Sequence, residues 1–217
     1  MPAHNTGETI AVLERNPCEP RLVGVVLAGG KSSRLGRDKA LLRFGGEGDL
    51  LTRTLELLRG MVDSVIVVGR PHPGGIGIAD LAPGLGPVGG ITTALTHAAG
   101  AACLALSCDL PFMNREILAR LVAAYRRRPS GKIAFLYRRA SDGREESLVA
   151  VYGPETLSAF RRCMDEGLLK VGRVVPEEEK FYLDYDEADA QAFFNINRPA
   201  DLEEARRIIA AQQGTLA

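Results

Sequence analysis

From residue 21 onward, apolar residues fall in short consecutive runs separated by amphipathic stretches. Runs of strand length lie at 22–28, 64–68, 103–107, 132–137 and 148–152, with a weaker one at 181–185. Several are apolar at successive positions instead of alternating, as in strands covered by helices on both faces. Helical periodicity marks 50–59, 88–98, 115–127, 154–166 and 199–210. Pro154 and Pro199 open two of these helices, where a missing N–H forfeits no bond. This alternation predicts a single three-layer, Rossmann-like α/β domain with a mostly parallel sheet and right-handed crossovers. Ligands of such sheets bind beyond the carboxyl ends of the strands. Residues that follow the strands therefore carry the functional reading.

Composition adds exclusions. The 217-residue chain is 46% hydrophobic and 25% charged, ordinary for a soluble domain. Lys plus Arg and Asp plus Glu both number 27, so net charge demands neither nucleic acid nor a membrane surface. No stretch approaches the ~20 apolar residues of a membrane span. Cys18, Cys103, Cys108 and Cys163 form no CxxC pair, which argues against a zinc site and a disulfide framework and fits a cytoplasmic chain. Residues 1–20, broken by charges and prolines, read as a flexible arm and not as a secretion signal. Residues 21–211 then form the domain and 212–217 a tail.

The loop after the first strand is the richest in chemistry: Leu27, Ala28, Gly29, Gly30, Lys31, Ser32, Ser33, Arg34, Leu35, Gly36, Arg37, Asp38, Lys39. Glycines let a backbone turn sharply and approach a ligand closely. Exposed amides bind phosphate oxygens, and Arg34 and Lys39 supply positive charge for a triphosphate. It is not a P-loop, because Val25 stands where that motif needs its first glycine. A second glycine-rich stretch at 84–90 formally contains GxGxxG, but Pro83 and Pro87 bracket it and no clean strand immediately precedes it. A nicotinamide-binding reading rests on that stretch alone.

The pattern LAGG-x-S-x-R-x-G-x-DK resembles the signature of the MobA-type molybdenum cofactor guanylyltransferases, within the wider nucleotidyltransferase superfamily. Leu27, Ala28, Gly29, Gly30, Ser32, Arg34, Gly36, Asp38 and Lys39 fill its fixed positions. Three later segments agree. Gly86-Pro87-Val88-Gly89-Gly90 is similar to the family's GPLGG, which presents a helix N-terminus to the nucleotide. Cys108-Asp109-Leu110-Pro111 is similar to its CD-x-P, and 193–202 to its F-x-N-x-N-x-P-x-[DE]-L. The resemblance covers residues 21–209.

It implies a nucleotide-diphospho-sugar transferase-like fold and a nucleotide site at Leu27, Ala28, Gly29, Gly30, Lys39, Asp80 and Asp109. Arg34, Lys39 and Asp109 would be catalytic. Asp109 would hold Mg²⁺, whose preference is for hard carboxylate oxygen, and Asn197 would lie near metal and phosphates. GTP would be the donor and molybdenum-bearing molybdopterin the acceptor, giving the guanine dinucleotide form and pyrophosphate. Transient contact with other molybdenum cofactor proteins or molybdoenzyme chaperones would follow. Other readings stand beside these. Asp80 could contact the base or be a solvated loop acid, Asp109 could cap the helix near Asn114, and Asn195 and Asn197 could only shape the loop before the last helix. One position departs from the pattern: Ser147 stands where the family usually has Pro in a loop held to meet the pterin. CTP or another phosphorylated acceptor therefore stays open. A non-catalytic nucleotide-binding module is disfavoured by the presence of both Lys39 and Asp109.

Overall fold

The computed structural model describes residues 20–29, 35–36, 38–43, 48–71 and 76–214. Its core follows from the apolar runs. β1 (Leu22–Leu27) and β4 (Ala102–Ser107) are buried along nearly their whole length, because helices close over both faces of the sheet. Each fully buried Val or Leu contributes about 1.5–3 kcal/mol, so the carboxyl ends of these strands are firm mounts for a site.

The strands form one seven-stranded sheet in the order β3-β2-β1-β4-β6-β5-β7. Here β2 is Ser64–Val68, β3 Ile76–Ile78, β5 Ala134–Arg139, β6 Glu145–Tyr152 and β7 Lys180–Tyr185. β1 pairs in parallel with β2 and β4, which sets Leu27 level with Val68 and with Ser107. β6 alone runs against its neighbours, antiparallel to both β4 and β5. The polar start of β6 therefore lies at the same edge as the carboxyl ends of the other strands. That placement supplies one wall of the site.

The helices are α1 (Leu50–Leu58), α2 (Gly86–His97), α3 (Arg115–Arg127), α4 (Leu157–Asp165), the short α5 (Glu187–Ala190) and α6 (Pro199–Gly214). One apolar cluster packs α1 and α3 residues such as Leu55 and Leu121 against Leu104 and Phe135. A second packs α2 and α4 residues such as Ile91 and Phe160 against Val25 and Ala150 on the opposite face. A small third cluster joins Leu35, Leu50, Ile196, Leu202 and Ala205, and so ties α6 to the functional edge.

The expected α/β architecture with a mostly parallel sheet is what the chain forms. The differences are local. β3 was not expected, because two isoleucines around Gly77 are too short a run to read. The 154–166 helix is divided into a 3-10 turn, Pro154–Thr156, and α4. β6 begins three residues earlier than its apolar run, at Glu145. Residues 1–19 and 215–217 lie outside the described residues, as do Gly30 and Arg34. Among the described residues, no helix is long and apolar enough to cross a membrane.

Candidate active site

A cleft of about 230 Å³ opens at the carboxyl ends of β1 and β4. Leu27, Ala28 and Gly29 form its floor, Gly86 and Pro87 bring in the start of α2, and Ser107, Cys108 and Asp109 close the β4 side. Lys39, Asp80 and Leu148 complete the walls. It is where an open α/β sheet places its ligand.

The charged centre joins three distant segments. Lys39 Nζ donates to Asn197 Oδ1 at 2.5 Å and to Asp109 Oδ2 at 3.4 Å. Ser107 Oγ donates to the other carboxylate oxygen, Oδ1, at 2.7 Å. Lys39 and Asp109 side chains are 17% and 18% exposed, enclosed enough to be fixed and open enough to meet a ligand. The Ile196 amide donates to the Asp109 carbonyl at 2.9 Å, so the segment carrying Asn197 lies directly against the end of β4. Asp201 accepts from the amides of Asn197 and Arg198 at 2.8 and 2.7 Å and thereby orders the entry into α6.

Lys39 is held from behind. Asp38 caps the 3-10 turn Lys39–Leu41 by accepting from the Ala40 amide at 3.1 Å. The other Asp38 oxygen accepts from Arg70, just past β2. Between these strands the backbones nearly touch. Gly69 has φ +93°, and a Cβ there would stand 2.5 Å from the Gly29 Cα. Only glycine at 69 lets β2 leave the sheet beneath the first loop. The start of α2 is brought close in the same way, since a Cβ on Gly90 would meet Leu27 Cδ2 at 3.0 Å.

Asp80 lies on the far wall. Its Oδ1 accepts from the Thr93 hydroxyl and from the Ala82 amide, each at 3.0 Å. It is thus an oriented acid on the cleft, not a freely solvated one. Asn114 itself caps α3, accepting from the Ile117 amide at 3.0 Å, so Asp109 is not needed as a cap. Cys108 is 7% exposed. Burial, with the Asp109 charge second, pushes its thiol up to about 12, which makes it no nucleophile.

The structure therefore brings Leu27, Ala28, Gly29, Lys39, Asp80, Asp109 and Asn197 to one cleft or its charged centre. Gly30 and Arg34 lie outside the described residues. Sequence reasoning missed the supporting roles of Ser107, Thr93, Arg70 and Leu148. An Asp directly before a short helical turn was a readable sign for the Asp38 cap; the other four carry no local signature.

The donor set bears on the metal. No cluster of three or more His, Cys, Asp or Glu suited to a metal occurs among the described residues. At the charged centre one carboxylate, Asp109, stands with the side-chain amide oxygen of Asn197 around the Lys39 ammonium. Mg²⁺ is commonly held by one or two carboxylates, with phosphate oxygens and water completing six positions. The residues present fit a cation that arrives with a triphosphate.

Comparison with known proteins agrees with this geometry. A family model described as a MobA-like NTP transferase domain matches residues 24–180. A probable molybdenum cofactor guanylyltransferase of Halalkalibacterium halodurans is 30% identical over 195 residues, covering 84% of this chain and 96% of the relative. A molybdenum cofactor guanylyltransferase of Rhizobium leguminosarum bv. trifolii is 34% identical over 211 residues, covering 88% and 94%. Among solved structures, the molybdopterin-guanine dinucleotide biosynthesis protein A of Archaeoglobus fulgidus superposes with a TM-score of 0.72 at 25% identity, covering 87% of this chain and 99% of that one. The 2-C-methyl-D-erythritol 4-phosphate cytidylyltransferase of Thermus thermophilus, at 21% identity and a TM-score of 0.62 over 85% and 96%, shares the fold.

Proposed function

The chain belongs to the MobA-like NTP transferase family, and from that premise we propose that it transfers GMP from GTP to molybdenum-bearing molybdopterin. The products are the guanine dinucleotide form of the cofactor and pyrophosphate. The observation that carries this reading is the Asp109–Lys39–Asn197 centre, one carboxylate and one amine meeting at the cleft beyond the carboxyl ends of β1 and β4.

The reaction asks little of acid–base groups. An oxygen of the acceptor's terminal phosphate, already anionic, attacks the α-phosphorus of GTP in line. The new P–O bond forms as the α–β bridging bond breaks, and pyrophosphate leaves with the bonding electrons. Catalysis is then positioning and neutralisation of charge that grows on the phosphates. Lys39 supplies a fixed cation there, pre-set by the Asp38 cap. The Gly29 amide offers a donor to phosphate oxygens, the Ala28 amide being engaged by the Val68 carbonyl at 3.1 Å, and the resemblance adds Gly30 and the Arg34 guanidinium. Asp109 would hold Mg²⁺ with Asn197 beside it; when bound, the cation withdraws charge from the α-phosphate. Asp80, oriented by Thr93, suits the N1–H and 2-amino donors of guanine, which cytosine does not present in that form.

The test is to incubate purified protein with Mg²⁺, molybdopterin and each nucleoside triphosphate in turn. Formation of the guanine dinucleotide with GTP alone is the expected result. Turnover with CTP alone would overturn the donor assignment, and transfer to a different phosphorylated acceptor in preference to molybdopterin would overturn the acceptor.

A further inference from the structure

Away from the charged centre, Lys180 is a buried ionisable group that the reaction does not use. Its side chain is 5% exposed. Its ammonium donates to both Glu145 oxygens at 3.0 and 3.3 Å, to the Gly172 carbonyl at 2.8 Å and to Glu177 at 3.0 Å. Tyr182 OH donates to the same Glu145 at 2.6 Å. Three separate pieces of chain, at Glu145, Gly172 and Glu177, thus converge on the Lys180 ammonium. Gly172 is part of that fit, for a Cβ there would stand 2.9 Å from Glu145 Oε2 and 3.2 Å from Ser147 Oγ.

What the cluster holds is an irregular strand. Against β5, Glu146 pairs with Tyr137, yet the next pair is Ala150 with Leu136. Residues 147–149 therefore bulge from the β5 ladder; Val149 keeps its pairing with Leu106 of β4, but neither register gives Ser147 or Leu148 a partner, so pairing alone does not fix those two. Tyr152 OH, donating to the Ser147 carbonyl at 2.7 Å, is a second tie on the same bulge. Its next residue, Leu148, lines the cleft beside Ser107 and Asp109. In the sheet order, β6 lies on the other side of β4 from β1, β2 and the Asp80 wall. On the guanylyl-transfer reading, the nucleoside would take the Asp80 side, which leaves the bulge to face the incoming acceptor.

We propose that the Lys180–Glu145 ion pair is a positioning device for the acceptor side: it fixes the 147–149 bulge so that Leu148 and Ser147 shape the acceptor's approach to Asp109. This rests on the guanylyl-transfer reading of the cleft. Removing one partner of a buried pair leaves the other charge uncompensated, and the bulge loses its anchor. Displacement of about 1 Å near a reacting centre can cost ~10²-fold in rate, so the effect reaches catalysis without Lys180 touching a substrate.

The experiment compares the full-length wild type with Lys180→Met and Glu145→Gln. Amide hydrogen exchange follows residues 145–149 against residues 22–27, and steady-state kinetics varies GTP and molybdopterin separately. Lys180→Met is expected to lower protection at 145–149 by ~10-fold or more with 22–27 unchanged, and to raise KM for molybdopterin by ~10-fold with KM for GTP within about 2-fold. Glu145→Gln keeps the side chain's size and the Tyr182 acceptor, and should shift the same two readouts by ~3-fold; it carries the test if Lys180→Met does not fold. Unchanged protection at 145–149, or equal rises in both KM values, would overturn the device. A wild type that transfers no guanylyl group would instead overturn the reading of the cleft, while the exchange experiment still decides whether the pair anchors the bulge.

Discussion

The two sides of the cleft are built in opposite ways. On the β1 side, Leu27–Gly29, Lys39 and the start of α2 sit in compact sequence motifs, each following a strand or opening a helix. On the β6 side, Leu148 sits on a bulge held by Lys180, Glu145 and Tyr152, partners up to 35 residues apart with no motif to announce them. A triphosphate is recognised by backbone amides and a few cations, which short glycine-rich loops provide. An organic acceptor is recognised by shape, and shape is set by packing from many parts of the chain. The chemistry of a site is therefore easier to read than its selectivity.

Substitutions should expose this division. The largest effects belong to the charged centre. Asp109→Ala and Lys39→Met are each expected to lower kcat by ~10²-fold or more with the fold retained, measured by guanylyl transfer and circular dichroism. Thr93→Val removes a donor from the Asp80 carboxylate and should raise KM for GTP by ~10-fold while leaving KM for molybdopterin unchanged. That selective shift is the mirror of the one expected at Lys180, and the pair of kinetic profiles tests the comparison itself. Gly69→Ala forces a strained φ and a contact with Gly29; thermal unfolding should show a Tm lower by roughly 4–10 °C.

The smallest effect is expected at Cys108. Its thiol is held up to about 12 against an ordinary 9.0, chiefly by burial. A raised value means the neutral form is favoured in the folded chain. The stabilisation is complete below pH 9.0 and is lost as pH rises through about 12. Cys108→Ala should accordingly change kcat by less than about 2-fold, with pH–rate profiles parallel to wild type from roughly pH 6 to 8.5.

Much of this was legible in the sequence, and the exceptions have physical reasons. β1, β2 and β4 declare themselves through unbroken apolar runs because both their faces are covered. β6 was only half visible, since its first residues, Glu145, Glu146 and Ser147, are polar and lie at the functional edge. β3 was hidden by its three-residue length. In the site, Lys39, Asp109 and Asn197 are legible from their motifs, and the structure adds that the Lys39 amine joins the other two. Arg70 could not be read, because its partner Asp38 is 32 residues away and nothing local signals the pair. Nothing local marks Lys180, which directly follows three acids at 177–179; it is buried, and one of those acids, Glu177, is its partner.

The most direct test of the central claim follows the phosphorus atoms. GTP labelled at the α-phosphate, and separately at the γ-phosphate, is incubated with the protein, Mg²⁺ and molybdopterin. Nucleotidyl transfer at the Asp109–Lys39 centre predicts that the α label enters the pterin product and the γ label leaves in pyrophosphate. Appearance of the γ label in the pterin, or of neither label, would contradict it.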